Sequence, residues 1–262
     1  MEQKPTIEPF QLNGDSRGVL CIHGFTGSPF EMARLAKLLH EDGRTVKVML
    51  LPGHGTHPDE LNRISWREWT SAVEKEISSL RDTCDEIAVI GQSLGGLLAL
   101  NAGIESGEKI AALVSLAAPL WLETMPTNLV RTLEFFPVLQ RVIPSLPKLS
   151  GSDIRDTEMK AANPSYPVIP TRGLIQLNKL MIRVRSKLDL VVSPLLIVHS
   201  KQDHTAPFES AVEIHRRASS DQKHLHLLEE SFHLIAMDTE YLEVAQRIRT
   251  FFTKALGWTK HK

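Results

Sequence analysis

The chain has 262 residues, 42% hydrophobic and 23% charged, enough for one large α/β domain with an insertion or at most two small domains. Thirty basic residues against 31 acidic ones leave a formal net charge of −1, so no field of one sign draws the protein to nucleic acid or to an acidic membrane surface. No run approaches the roughly 18 apolar residues of a membrane helix, and the opening MEQKPTIEPFQLNGDSRG lacks an apolar leader core, so the expected location is the cytoplasm.

In chain order, GVLCIHG reads as a strand, a helix follows from Ser28, and TVKVMLL is a second strand. A helix from Ser65, the strand EIAVIG and a helix after Ser93 come next. That alternation predicts βαβ units and a parallel sheet. Ser28 with Glu31, and Ser65 with Glu68, read as capping boxes that start the two helices. Behind the second box, Trp66, Trp69, Val73, Ile77 and Leu80 recur at helical spacing and predict a face turned to the core. The two cysteines are read as packing residues: Cys21 lies in an apolar run, Cys84 near a helix end, and together they form neither a disulfide framework nor a metal-ligand spacing.

After the strand IAALVSLAAP the pattern breaks. Pro119 to Pro170 holds eight of the 15 prolines and reads as short helices and loops, a prolonged insertion of the kind that forms binding or lid elements. GLIQLNKLMIRVRSKL is an amphipathic helix leading back to the sheet. The alternation then resumes with PLLIVHS, a helix over Ser210–Ala218, the strand HLHLLEE and a last helix over Tyr241–Ala255. The expected organisation is a core of residues 1–118 and 188–262, interrupted by a cap at 119–187.

The stretch VIGQSLGGLLAL places Ser93 between an apolar strand and an apolar helix. GQSLG fits GxSxG, and the strand–serine–helix context suits a sharp turn that presents a hydroxyl at the carboxyl end of a sheet, with Gly91, Gly95 and Gly96 giving the room. A plain helix cap needs none of those glycines. A serine hydroxyl is a poor nucleophile until a base removes its proton, so a histidine and a carboxylate are required further along. His233 falls in the loop after HLHLLEE and can reach back. His224 and His226 read as strand residues, His199 as another, His215 as helical and His261 as tail. Asp203 follows the strand PLLIVHS at the same sheet end, with His204 as a weaker second base. Asp189, Asp221 and Asp238 read as solvated turn or cap residues. The oxyanion requires two backbone donors. Leu94, after the serine, is one; Phe25, in the glycine-containing loop CIHGFTGSP, is the other, with His23 bracing that loop.

Taken together, HGFTGSP, PGHGTHPDEL, GQSLGG, HSKQDHTAP and SFHLIAMD resemble the α/β-hydrolase carboxylesterases, in particular the small bacterial carboxylesterase and monoacylglycerol lipase group. The resemblance implies an α/β-hydrolase fold: a mostly parallel central sheet, helices on both faces and an inserted cap. It also implies Ser93 as nucleophile, Asp203 and His233 as its relay, Phe25 and Leu94 N–H groups as oxyanion hole, and a structural role for Gly53-His54-Gly55. In the insertion, NPSYPVIPTRG departs from those relatives and offers no evident grip for a glycerol. The expected activity is hydrolysis of a small-molecule carboxylic ester through an acyl-enzyme, with no metal or organic cofactor. Trp121, Leu122, Met125, Leu129, Leu133, Phe135 and Phe136 are candidates for an acyl site or for packing. The same triad on a thioester, a lactone or a C–C bond, or a fold retained for binding alone, are the competing readings.

Overall fold

The computed structural model describes residues 7–122, 127–148 and 151–260. Its centre is a sheet whose strands are β1 (Phe10–Leu12), β2 (Asp15–Ile22), β3 (Arg44–Met49), β4 (Glu86–Gln92) and β5 (Ala112–Leu116). A separate pair follows, β6 (Ser145–Pro147) and β7 (Val168–Pro170), and then β8 (Leu195–Ser200) and β9 (Lys223–Leu228) rejoin the main sheet. The seven-stranded order is β1-β3-β2-β4-β5-β8-β9. Within this sheet, among the described residues, only β1 runs antiparallel. This short edge strand has no counterpart in the sequence reading: three residues are too few to show a period.

Along β2 the side chains alternate between two cores, as a period of two demands. Leu20 and Ile22 enter one with Trp69, Leu97 and Ile197; Val19 and Cys21 enter the other with Leu35, Val198 and Phe252. The sheet is therefore covered on both faces, which is why its central strands are apolar throughout rather than alternating with polar residues. The first face is packed by α3 (Trp66–Arg81), α4 (Leu94–Ser106) and α9 (Glu209–Arg217), with α8 (Thr171–Ser186) over α3 and α4 in the same core, and the second by α1 (Phe30–His40) and α10 (Tyr241–Leu256). A one-turn helix, α2 (Pro58–Leu61), precedes α3, while α5 (Thr127–Phe135), α6 (Pro137–Val142) and α7 (Thr157–Ala162) lie between β5 and β8. Both cysteines are buried as packing residues.

The two expected capping boxes differ. Ser65 and Glu68 make both reciprocal bonds at the start of α3, an arrangement whose serine alone is worth about 1 kcal/mol. The Ser28–Glu31 box does not form: α1 begins one residue after Pro29 with no side-chain cap, and the Ser28 hydroxyl is buried without a partner. Glu31 turns instead to the Gly24 N–H at 2.8 Å. Trp66 packs against the edge of the core, as its spacing predicts. It is half-buried, with the guanidinium groups of Arg67 and Arg183 over its ring at 4.5 and 5.2 Å, whereas Trp69, Val73, Ile77 and Leu80 are buried.

Among the described residues, no helix is long and apolar enough to cross a membrane.

Candidate active site

Parallel strands end on the same side of a sheet, so β2, β4, β8 and β9 deliver the loops of Phe25, Ser93, Asp203 and His233 to one place. Ser93 sits between β4 and α4 with φ 55° and ψ −113°, a conformation an L-residue adopts at a cost on the order of 1–3 kcal/mol. The glycines around it are required by close approach. A Cβ on Gly91 would lie 1.9 Å from the Gly95 carbonyl oxygen, and one on Gly95 would lie 2.2 Å from that of Ile22. Ser93 N–H donates to the Leu116 carbonyl at 2.8 Å, which anchors the turn to β5.

The side chains that the sequence reading selected meet there. Ser93 Oγ is 2.8 Å from His233 Nε2, and His233 Nδ1 is 2.7 Å from Asp203 Oδ2. The other carboxylate oxygen accepts the N–H groups of Thr205 and Ala206, each at 2.8 Å. All three side chains belong to buried residues. Burial alone would raise the Asp203 pKa, but the adjacent His233 and the hydrogen bonds of His199 and His233 outweigh it and hold the carboxyl well below its ordinary range. Burial would likewise lower the His233 pKa; Asp203, with Asp153 and Glu31, more than offsets it and lifts the imidazole above its ordinary value. An imidazole so placed can take a proton from the hydroxyl and keep the resulting charge beside a carboxylate.

The two expected oxyanion donors flank this line. A Cβ on Gly24 would lie 3.4 Å from Ser93 Cβ, so the loop of Phe25 packs directly against the serine. Gly24 N–H is occupied by Glu31, while neither Phe25 N–H nor Leu94 N–H has a hydrogen-bond partner among the described residues. His23 braces the loop, with Nδ1 on the Gly24 carbonyl at 2.9 Å and Nε2 accepting from Leu51 N–H at 3.1 Å. Its neighbour His54 has its pKa lowered to about 4 by burial, which suits a structural imidazole.

Of the alternatives, His204 is bound to Asp153 through Nδ1 at 3.0 Å, and its side chain is 61% exposed. Asp238 is not a solvated cap residue. It is fully buried and accepts from the N–H groups of Arg155, Asp156 and Phe232 at 2.7–2.9 Å, clamping the insertion to the loop of His233. The site contacts of three further residues are not evident from the sequence. Gln92 donates to the His233 carbonyl at 2.8 Å and accepts from Ala236 N–H. The Asp153 carbonyl accepts His233 N–H at 3.1 Å. His199 Nε2 lies 3.0 Å from Asp203 Oδ2. Position before a GxSxG serine was a signal for Gln92, and a His-x-x-x-Asp spacing across a strand end was one for His199; Asp153 had none.

The cavity beside Ser93 has an apolar wall of Phe25, Leu122, Ile169, Leu174, Leu177 and Leu234 and a polar wall that includes Glu31, Lys148, Ser152 and Asp153. Of the expected apolar candidates in the insertion whose side chains the structure describes, only Leu122 reaches it. Trp121 lines a second cavity that shares Leu122 and Leu174 with the first, Leu133 is buried in the core, and Phe135 and Phe136 are 78% and 52% exposed. Met125 and the side chain of Leu129 lie outside the described residues.

A mostly parallel, doubly covered sheet with a serine on a left-handed strand–helix turn defines an α/β-hydrolase. The family described as serine aminopeptidase S33 matches residues 15–240, and the chain belongs to that family. It is 33% identical over 259 residues to the thermostable monoacylglycerol lipase of Bacillus sp. (strain H-257), covering 98% of this chain and 99% of that protein. It is 29% identical to a carboxylesterase of Bacillus subtilis (strain 168), over 97% and 98% of the two chains. One of the solved structures similar to it is that of a metagenome-derived lipolytic enzyme, with a TM-score of 0.88, 31% identity and coverage of 96% and 99%.

Proposed function

We propose that the protein hydrolyses carboxylic esters, either monoacylglycerols or short- to medium-chain acyl esters, through an acyl-serine intermediate on Ser93, with the 119–187 insertion acting as the cap over the site. The observation that carries this reading is the unbroken line Ser93 Oγ, His233, Asp203, with contacts of 2.8 and 2.7 Å; the naming of the two Bacillus relatives supports the choice of ester.

In this mechanism His233 Nε2 takes the Ser93 proton as Oγ forms a bond to the ester carbonyl carbon. The carbonyl π electrons move to oxygen, where the Phe25 and Leu94 N–H groups stabilise the negative charge. Asp203 holds the imidazole in the Nδ1–H tautomer and balances the imidazolium. Collapse of the tetrahedral species breaks the bond to the alcohol oxygen, which takes the proton from Nε2. Water then attacks the acyl-serine by the same steps and releases the acid.

The apolar wall of the cavity suits the acyl chain, and the second cavity beyond Leu122 and Leu174 extends that path. Each methylene buried is worth about 0.8 kcal/mol, close to a fourfold gain in kcat/KM. Specificity therefore climbs over the first several acyl carbons and then flattens. Two measurements test the reading: labelling of the wild type but not Ser93→Ala by a fluorophosphonate, and kcat/KM for monoglycerides and methyl esters from two to sixteen acyl carbons. Labelling that persists in Ser93→Ala removes the nucleophile, and a profile that falls with every carbon after acetate removes the acyl site.

A further inference from the structure

His199 is the next-to-last residue of β8, four residues before Asp203, and its side chain is fully buried. Its Nε2 lies 3.0 Å from Asp203 Oδ2 and 3.0 Å from the Ala206 carbonyl oxygen. Both neighbours are acceptors, so the nitrogen between them carries hydrogen; a lone pair there would face two others. Nδ1 is buried without a partner among the described residues. The imidazole thus pays out its polar contacts at a single point, the loop that carries Asp203. The carboxylate is otherwise held through Oδ1, by Thr205 and Ala206 N–H, while among the described residues Oδ2 meets the two imidazoles. Oδ2 is also the oxygen that His233 Nδ1 uses.

We propose that His199 is a positioning residue for the Asp203–His233 pair: its Nε2–H, shared between Asp203 Oδ2 and the Ala206 carbonyl, fixes the rotation of the carboxylate and limits how strongly that oxygen draws on the His233 proton. The proposal rests on the reading of Asp203 and His233 given under the proposed function. A donor on Oδ2 disperses carboxylate charge, so its loss leaves a stronger partner for the imidazolium and moves the ionisation of His233 upward. The other charged groups around His233 are Asp153 of the insertion and Glu31 of α1, with Lys148 lining the same cavity; a change at His199 leaves all three in place.

The test compares His199→Phe, which keeps a planar ring but no donor, with His199→Gln, which restores an N–H at similar reach. In His199→Phe, kcat falls about tenfold with KM little changed, the scale of losing a group that orients a functional side chain, and the acid limb of kcat/KM moves up by about half a pH unit. His199→Gln returns both most of the way. A His199→Phe variant that loses thermal stability and activity with an unmoved acid limb, or a His199→Gln variant no better than it, overturns the proposal in favour of packing alone. Should His199→Phe fail to fold, His199→Asn against His199→Gln supplies the same contrast, since the shorter amide stops short of Oδ2; equal acid limbs in the two overturn the proposal. Asp203→Asn is measured alongside. A harmless Asp203→Asn removes the underlying reading, whereas a crippled Asp203→Asn beside an unshifted His199→Phe removes only the role of His199.

Discussion

The turn between β4 and α4 and the insertion between β5 and β8 both border the cavity at Ser93, yet they are held by different means. Around Ser93 the contacts are between backbones: Gly91 against Gly95, Gly95 against the Ile22 carbonyl, and Ser93 N–H on Leu116. The insertion is held to the core chiefly by side chains, with Asp153 reaching His204 and Thr205, Asp238 receiving Arg155 and Asp156, and Tyr166 donating to the Gly53 carbonyl. Backbone contact admits few residue types, so it marks the sequence. Side-chain contact is satisfied by many pairs and leaves little trace. The difference predicts sharp, position-specific losses at the turn and graded ones in the insertion.

The largest effect is expected at Ser93. Ser93→Ala lowers kcat by about 10⁴ to 10⁶ with the thermal midpoint unchanged, and adding His233→Ala makes it little worse, because the groups act as a unit; turnover near wild type in a purified single variant would break the assignment. Asp203→Asn follows, at roughly 10⁴, by favouring the wrong histidine tautomer. A full pH profile distinguishes this from simple loss of fold. With Asp203 ionised, the His233 pKa stands above its ordinary value, and only the deprotonated ring accepts the serine proton, so wild-type kcat/KM rises with pH through a single ionisation above about 6.5 and then levels. Without the carboxylate's charge, the residual activity of Asp203→Asn rises at lower pH. A flat wild-type profile from acid to mildly alkaline pH speaks against a histidine base.

Gly95→Ala tests the backbone half of the comparison. Its Cβ would sit 2.2 Å from the Ile22 carbonyl oxygen, and backbone cannot step aside cheaply, so denaturant titration should show a loss on the order of 3 kcal/mol or more. Within the insertion, Leu133→Ala should cost about 2–4 kcal/mol because Leu133 is buried, while Phe135→Ala, two residues along the same helix, should stay within about 0.5 kcal/mol of wild type. Equal losses at Leu133 and Phe135 would show that the two faces of α5 are not distinguished as described.

Those two residues also show where legibility stops. Leu133 and Phe135 look alike as apolar members of one stretch, and both suit an acyl site on composition; which one meets the core depends on how α5 is rotated against α8, a tertiary fact. Ser28 and Glu31 have the spacing of a capping box as good as that of Ser65 and Glu68, but Gly24 N–H competes for the Glu31 carboxylate and wins. Asp238 resembles an exposed turn residue because the N–H groups that neutralise its burial come from Arg155, Asp156 and Phe232, two of them more than 80 residues away. His199 lies in a strand, as its place in PLLIVHS predicts. The contact with Asp203 arises only because the loop after β8 turns back over the strand's end.

What the sequence determined by itself was whatever local physics prints onto neighbouring residues: the apolar strands of a sheet buried on both faces, the order of β and α segments, and the glycines that a left-handed serine turn requires. The turn at Ser93 was legible for that reason, and the meeting of His233 and Asp203 with it because parallel strands send their carboxyl ends to one side, so loop position alone narrows the choice. The tertiary structure decided what depends on distance through space. It set which oxygen of Asp203 faces which imidazole, which carboxylates are buried, and which insertion side chains form the cavity wall, since hydrogen bonds and packing act over a few ångströms between residues that the chain keeps far apart.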